Sequence, residues 1–262
     1  MAKSDGSDSY FFLSSFFSFL LPSPLFFFIF SLLFSIMDKQ KSYNWLKVIL
    51  MGIAASIANN ASISVSFNSG LYLDTIFTVA AVFAGGLVPG LISAVLTTVI
   101  YGTLYFIENG TPYFGANYLY IFCSITMVLL VRLFAYFFQT ECESVRVIGG
   151  QSKPYNGKIL QGPLLIMLTI LSLVMSFVIS VMGGLISARI TSVTGVVDKS
   201  GWFRLGFIMQ GFSLTASEIL ARIPVNIADK TIAVFGGYGI ALLIKRAKSR
   251  YQRAKEEKRS AS

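Results

Sequence analysis

Histidine is absent from the 262-residue chain, which removes the commonest general base and the commonest metal ligand together. Hydrolytic and metal-dependent chemistry lose their usual agents. Only two cysteines are present. Cys123 falls in an apolar run and Cys142 in a polar stretch, so neither a CxxC redox pair nor a disulfide framework can be drawn, and both read as incidental. A phosphate-cradling loop is missing too. The nearest candidate, SKPYNGKI at 152 to 159, has Ser152 where the first glycine should stand and Ile159 where a hydroxyl should hold magnesium. That excludes ATP hydrolysis by this route. No stretch outside the apolar runs is long enough to fold alone as a kinase or cyclase output domain. The expectation is a chain that is not an enzyme, with no catalytic residue, no metal and no cofactor of its own.

Charge is scarce as well: 13% of residues are charged against 55% hydrophobic, and mean hydropathy is +0.71. A soluble domain of ordinary composition does not look like this. Apolar runs of about 20 residues recur, the length a helix needs to cross a hydrocarbon core of about 30 Å. The shorter alternation of an outer-membrane barrel strand is not seen. The pattern predicts an all-α polytopic membrane protein with a six-helix bundle core, its spans at about 45–66, 72–86, 89–107, 117–138, 162–187 and 225–244. GGLVPG at 85 to 90 is a tight break, with Pro89 suited to a first helical turn.

Positive residues orient this bundle. Lys39, Lys41 and Lys47 precede the first span, Arg132 closes the fourth, and Arg146, Lys153 and Lys158 follow it. The tail at 245 to 259 carries eight Lys or Arg against Glu256 and Glu257. Six helices with both ends inside place all of these on the cytoplasmic side. The tail, 247 to 262 beyond the membrane domain at 37 to 246, is then a partner for anionic headgroups rather than for nucleic acid. One segment fits badly. The outside loop at 188 to 206 contains Arg189, Lys199 and Arg204.

Residues 1 to 36 stand apart, because FFLSSFFSFLLPSPLFFF at 11 to 28 uses only Phe, Leu, Ser and Pro. Those four are what pyrimidine-rich codons spell. Translated upstream sequence, with the true start at Met37, is one reading of this low-complexity segment. An extra hydrophobic helix broken by Pro22 and Pro24, or an uncleaved signal-like segment, are the others.

Polar residues inside apolar runs mark the candidate sites. In the first span, Ala54 and Ala58 lie one turn apart, and Gly52 with Ser56 makes a second small-xxx-small pair. Small residues let a second helix approach closely in a membrane, either within the bundle or on a partner subunit. Asn59, Asn60 and Asn68 then turn the outer end of this helix polar, as a frayed end or as one wall of a pocket. Asp74 opens the second span, as its N-cap or as part of the same wall. Near the chain's end, Glu218 and Arg222 are spaced to pair at i, i+4. Pro224 should interrupt that helix or begin a new one. Asn226 and Asp229 fall at the depth of Asn59 and Asp74, and adjacent Asp229 and Lys230 should diverge toward separate partners. Polar groups from three helices at one depth suggest an outward cavity for a small solute.

Two stretches carry a family resemblance. LYLDTIFTVAAVFAGGLVPGLISAVLTTVIYG at 71 to 102 resembles the second and third helices of the substrate-binding S components of energy-coupling factor (ECF) transporters. ARIPVNIADKTIAVFGGYGIALLIKR at 221 to 246 is similar to their last helix, Asp-Lys pair and basic end included. Related membrane sensor modules of bacterial signalling proteins look alike over the same residues. The resemblance spans roughly Trp45 to Arg246. It implies a bacterial inner-membrane subunit that captures a small nutrient, such as a vitamin or precursor, at its outward face. It also implies a separate transmembrane coupling subunit and ATPases, with the family's Ala-xxx-Ala docking motif falling on Ala54 and Ala58. Metal-type members use an N-terminal histidine site, which this chain lacks. A sensing or interaction module without its own output domain is the alternative.

Overall fold

The computed structural model describes residues 45–66, 71–109, 118–138, 162–194 and 201–260. The low-complexity segment, Met37, Asn68 and the loop after the fourth span lie outside these. Among the described residues the chain is all-helical: α1 (Trp45–Ser66), α2 (Ile76–Gly85), α3 (Leu87–Asn109), α4 (Tyr120–Phe137), α5 (Gly162–Thr194), α6 (Gly201–Met209) and α7 (Leu214–Ser260). Five of these, α1, α3, α4, α5 and α7, are long and apolar enough to cross a membrane.

The helices are sided in the manner of a protein solvated by lipid. On α5, Ile166, Ile170, Leu173 and Phe177 point outward, whereas Ser172, Ser176, Ser180 and Ser187 are buried against the bundle. In water this arrangement would be inverted; in hydrocarbon, where polar groups need internal partners and apolar ones do not, it is the stable one. The chain is a multi-pass membrane protein.

Helix α2 differs from its expected span. It has ten residues, about 15 Å of helix, half of what a bilayer core requires. Both of its ends are broken by backbone conformation. Leu73 takes φ 44° before it and Gly86 takes φ 91° after it, and the Gly86 N–H closes the last turn on the Val82 carbonyl at 2.9 Å. Its residues Thr78 to Val82 are all buried, as expected of a helix that is apolar all round. α1, α3, α4 and α7 pack around it, and Val79 and Val82 join Met127, Val128, Leu171, Met175 and Val234 in the core.

Helix α7 also departs from expectation, because it runs unbroken through Pro224. The proline removes one N–H bond and crowds the preceding turn, about 3 kcal/mol in an isolated helix. Packing on α5, α2 and α6 holds the helix together regardless. Glycine makes this close packing feasible: a Cβ at Gly184 on α5 would stand 2.7 Å from Ile219 Cα on α7. Gly184→Ala should therefore force the α5–α7 pair apart and cost about 1–3 kcal/mol. A thermal melt indistinguishable from the parent would contradict this packing. Helix α6, in a stretch read as an outside loop, is the element the apolar-run reading missed.

Candidate functional site

The charged centre of the bundle lies where α7 faces the segment leading into α2. Lys230 Nζ sits 2.6 Å from Asp229 Oδ2, donates to Thr75 Oγ1 at 3.3 Å and stands 3.6 Å from Asp74 Oδ1. The other oxygen of Asp229 accepts the Leu73 N–H at 2.7 Å. Asp229 and Lys230 are almost fully buried, whereas the Asp74 side chain is 37% exposed. Two carboxylates thus share one ammonium, and Asp74 is the more exposed of the two. Its inner oxygen accepts no hydrogen bond, since 3.6 Å is beyond hydrogen-bond length.

Two expectations are corrected here. Adjacent Asp229 and Lys230 do not diverge to separate partners; the four-carbon stem of lysine lets the ammonium fold back onto its neighbour's carboxylate. Nor is Asp74 the cap of α2. Thr75 holds that position and makes no side-chain capping bond, its hydroxyl being engaged by Lys230. The strap 71–75 is instead pinned by tertiary contacts. Leu73 is the one non-glycine residue with positive φ among those described, a conformation costing roughly 1–2 kcal/mol, and Asp229 holds it there.

The cap that Thr75 does not supply comes from α1. Asn59, fully buried, accepts the Phe77 N–H on Oδ1 at 2.9 Å. Its amide nitrogen faces Thr78 Oγ1 at 2.8 Å, Thr97 Oγ1 at 3.3 Å and Ser93 Oγ at 3.5 Å. Thr78 and Ser93 hydroxyls are themselves 2.8 Å apart. One asparagine thus ties α1 to α2 and α3. Asn60 does something different, donating back to the Ser56 carbonyl at 3.0 Å.

Asn226 turns away from the Asp74 centre toward α5. Its side-chain amide donates to Ser180 Oγ at 2.9 Å, and its backbone carbonyl accepts from Ser176 Oγ at 3.0 Å. Further along α7, Glu218 is gripped from α6 by Arg204 at 2.7 Å, with Ser187 and Thr191 donating to the same carboxylate at 3.1 and 3.0 Å. Arg204, awkward as a loop cation on the outside, is consumed by this buried pair. Arg222 donates to Tyr120 Oη at 3.1 Å and lies over the Tyr120 and Tyr72 rings at 5.6 and 6.0 Å, within cation–π range.

The structure thus brings Asp74 and Asp229 together through Lys230 and joins Asn59 to the same strap through the first turn of α2. Asn226 belongs to the α5–α7 seam. Reading residue types missed Thr75, Thr78, Ser93 and Thr97, because single hydroxyls in an apolar run give no signal until a tertiary partner reaches them. Among the described residues no three His, Cys, Asp or Glu side chains converge.

The proposed docking face also divides. Gly52 and Ser56 are buried, Gly52 so closely that a Cβ there would meet Ile92 at 2.6 Å. Ala54 is exposed and Ala58 half-buried, on a side shared with outward-pointing Leu50, Ile53 and Ile57. Comparison of the chain with family models, curated proteins and solved structures finds no match.

Proposed function

We propose that this protein is the solute-capture subunit of an ECF-type importer, taking a small nutrient at the half-exposed Asp74 and docking through α1 to a transmembrane coupling subunit served by ATPases. The division of α1 carries the reading. One side, Gly52, Ser56 and Asn59, is committed to internal packing, while Ala54 and Ala58 offer another helix a shallow surface between larger apolar residues. Small residues left facing lipid gain nothing there; they gain by close approach of a second helix. The charged centre supports a capture role because ionisable groups inside a membrane protein are costly and mark solute or ion sites by default. On this reading the protein lies in the bacterial cytoplasmic membrane. Its basic end beyond Lys245 faces the cytoplasm, as the positive-inside rule requires.

Asp74→Asn tests the site. Asp229 at 2.6 Å already neutralises Lys230, so the variant should fold with a melting temperature within about 2 °C of the parent, the scale of a surface change. Native mass spectrometry of the parent should show a co-purifying small molecule, and the variant should lose most of it. Equal occupancy in the two proteins would remove Asp74 from the site.

A further inference from the structure

We propose that Asn59 couples the outward face of α1 to the Asp74 centre, so that a helix seated on Ala54 and Ala58 and a solute held at Asp74 each alter the other's affinity. The inference deepens the capture-subunit reading and rests on it for the identity of the two ligands. The mechanical link rests on hydrogen bonds.

Asn59 follows Ala58 directly, and while Ala54 and Ala58 look outward Asn59 looks into the bundle. Its Oδ1 holds the Phe77 N–H, one of the first-turn donors of α2 that no intrahelical carbonyl can satisfy. The local cap is not made: Thr75 forms no side-chain capping bond, and its hydroxyl accepts from Lys230. The first turn of α2 is therefore fastened by α1 at Phe77 and by α7 at Thr75 and Leu73. The two clasps fall within the five residues Leu73 to Phe77, and the left-handed Leu73, in the middle of the strap, is held by its bond to Asp229.

Such an element has two discrete arrangements, capped and frayed. A displacement of α1 by a docking helix lengthens the Asn59–Phe77 bond, lets the first turn fray into the strap, and frees Leu73 from Asp229 and Thr75 from Lys230. Asp74, directly between Leu73 and Thr75, then loses its fixed position. Linkage makes the effect reciprocal: a solute that holds Asp74 and the strap in place resists the displacement of α1.

The test is residue-resolved amide hydrogen exchange on the full chain in lipid nanodiscs, with no added ligand. Asn59→Leu should speed exchange at Phe77 under any role for Asn59. The deciding amide is Leu73, which bonds Asp229 and does not touch Asn59; its exchange should rise by about tenfold or more, as for a shared opening event. Asn59→Asp, neutral when buried, keeps an acceptor for Phe77 and one donor, and should restore Leu73 protection to within about twofold of the parent. In the reverse arm, with Asn59 intact, Asp229→Leu combined with Lys230→Met, which removes the Leu73 acceptor without stranding a buried charge, should speed Phe77 by a similar factor, and this arm decides if Asn59→Leu does not fold. Unchanged Leu73 exchange in Asn59→Leu, or unchanged Phe77 exchange in Asp229→Leu with Lys230→Met, overturns the coupling. Failure to form a complex with a coupling subunit would overturn the capture reading and leave these exchange results as they stand, so the two ideas fail separately.

Discussion

Lys230→Met should be among the most damaging single substitutions in the described helices. The change leaves Asp229 buried with its Leu73 bond but without its ammonium at 2.6 Å. Breaking a buried pair by removing one partner costs about 3–5 kcal/mol, because the remaining charge is uncompensated. For a chain of this size that is on the order of 10 °C in apparent melting temperature. Methionine fills much the same volume, so the loss is one of charge rather than of packing. Asp229→Asn added to Lys230→Met should restore most of the stability: the amide carbonyl still accepts the Leu73 N–H, and no buried charge is left behind. Asp74, partly exposed and 3.6 Å from the ammonium, depends on Lys230 less than Asp229 does, so it should not cancel this rescue. Circular dichroism melts in detergent micelles would check both variants. A single variant melting within about 2 °C of the parent would mean that the Asp229–Lys230 pair contributes little to stability.

These same residues show where sequence reasoning stops. The span of α1 was legible to the residue, Trp45–Ser66, because its apolar run is long and its flanks are polar. The start of α2 was not, because Leu73 is turned left-handed by Asp229, 156 positions along the chain, and no local pattern encodes that. Pro224 reads as a break in any local scheme, yet α7 passes through it under tertiary packing. Helix α6 was hidden by its short length and by Arg204, whose charge reads as loop until Glu218 is placed beside it. Asp74 and Asp229 were recognisable as candidates because carboxylates in an apolar chain are rare. Their lysine bridge was not, because successive helical residues point about 100° apart and only the length of the lysine stem overcomes that.

The polar interior is therefore less a single cavity than a set of clasps at successive levels of α7. Glu218 holds α6, Asn226 holds α5, and Asp229 with Lys230 holds the strap before α2. In a membrane, where apolar exclusion does not drive helices together, such satisfied polar contacts set which helix meets which. The arrangement leaves α1 with the fewest duties on its outer side.

On the proposed capture role, Ala54→Leu combined with Ala58→Leu should abolish recovery of the protein with a coupling subunit and its ATPases, while leaving the isolated subunit folded and competent for solute. Ala54 is exposed and Ala58 half-buried, so two added isobutyl groups extend into lipid, and stability should change by no more than about 0.5 kcal/mol per site. Against a partner helix the same groups hold the backbones apart and forfeit the close packing that association in a bilayer depends on. Loss of even about 1.4 kcal/mol lowers the amount of complex tenfold, and two leucines one turn apart should exceed that. Gly52→Ala supplies the contrast. Its new methyl would meet Ile92 inside the bundle at 2.6 Å, so it should lower the melting temperature of the isolated subunit, which the double leucine variant does not. Complex recovered in full from the double leucine variant would mean that a different surface makes the contact, and the outward alanines of α1 would return to being ordinary lipid-facing residues.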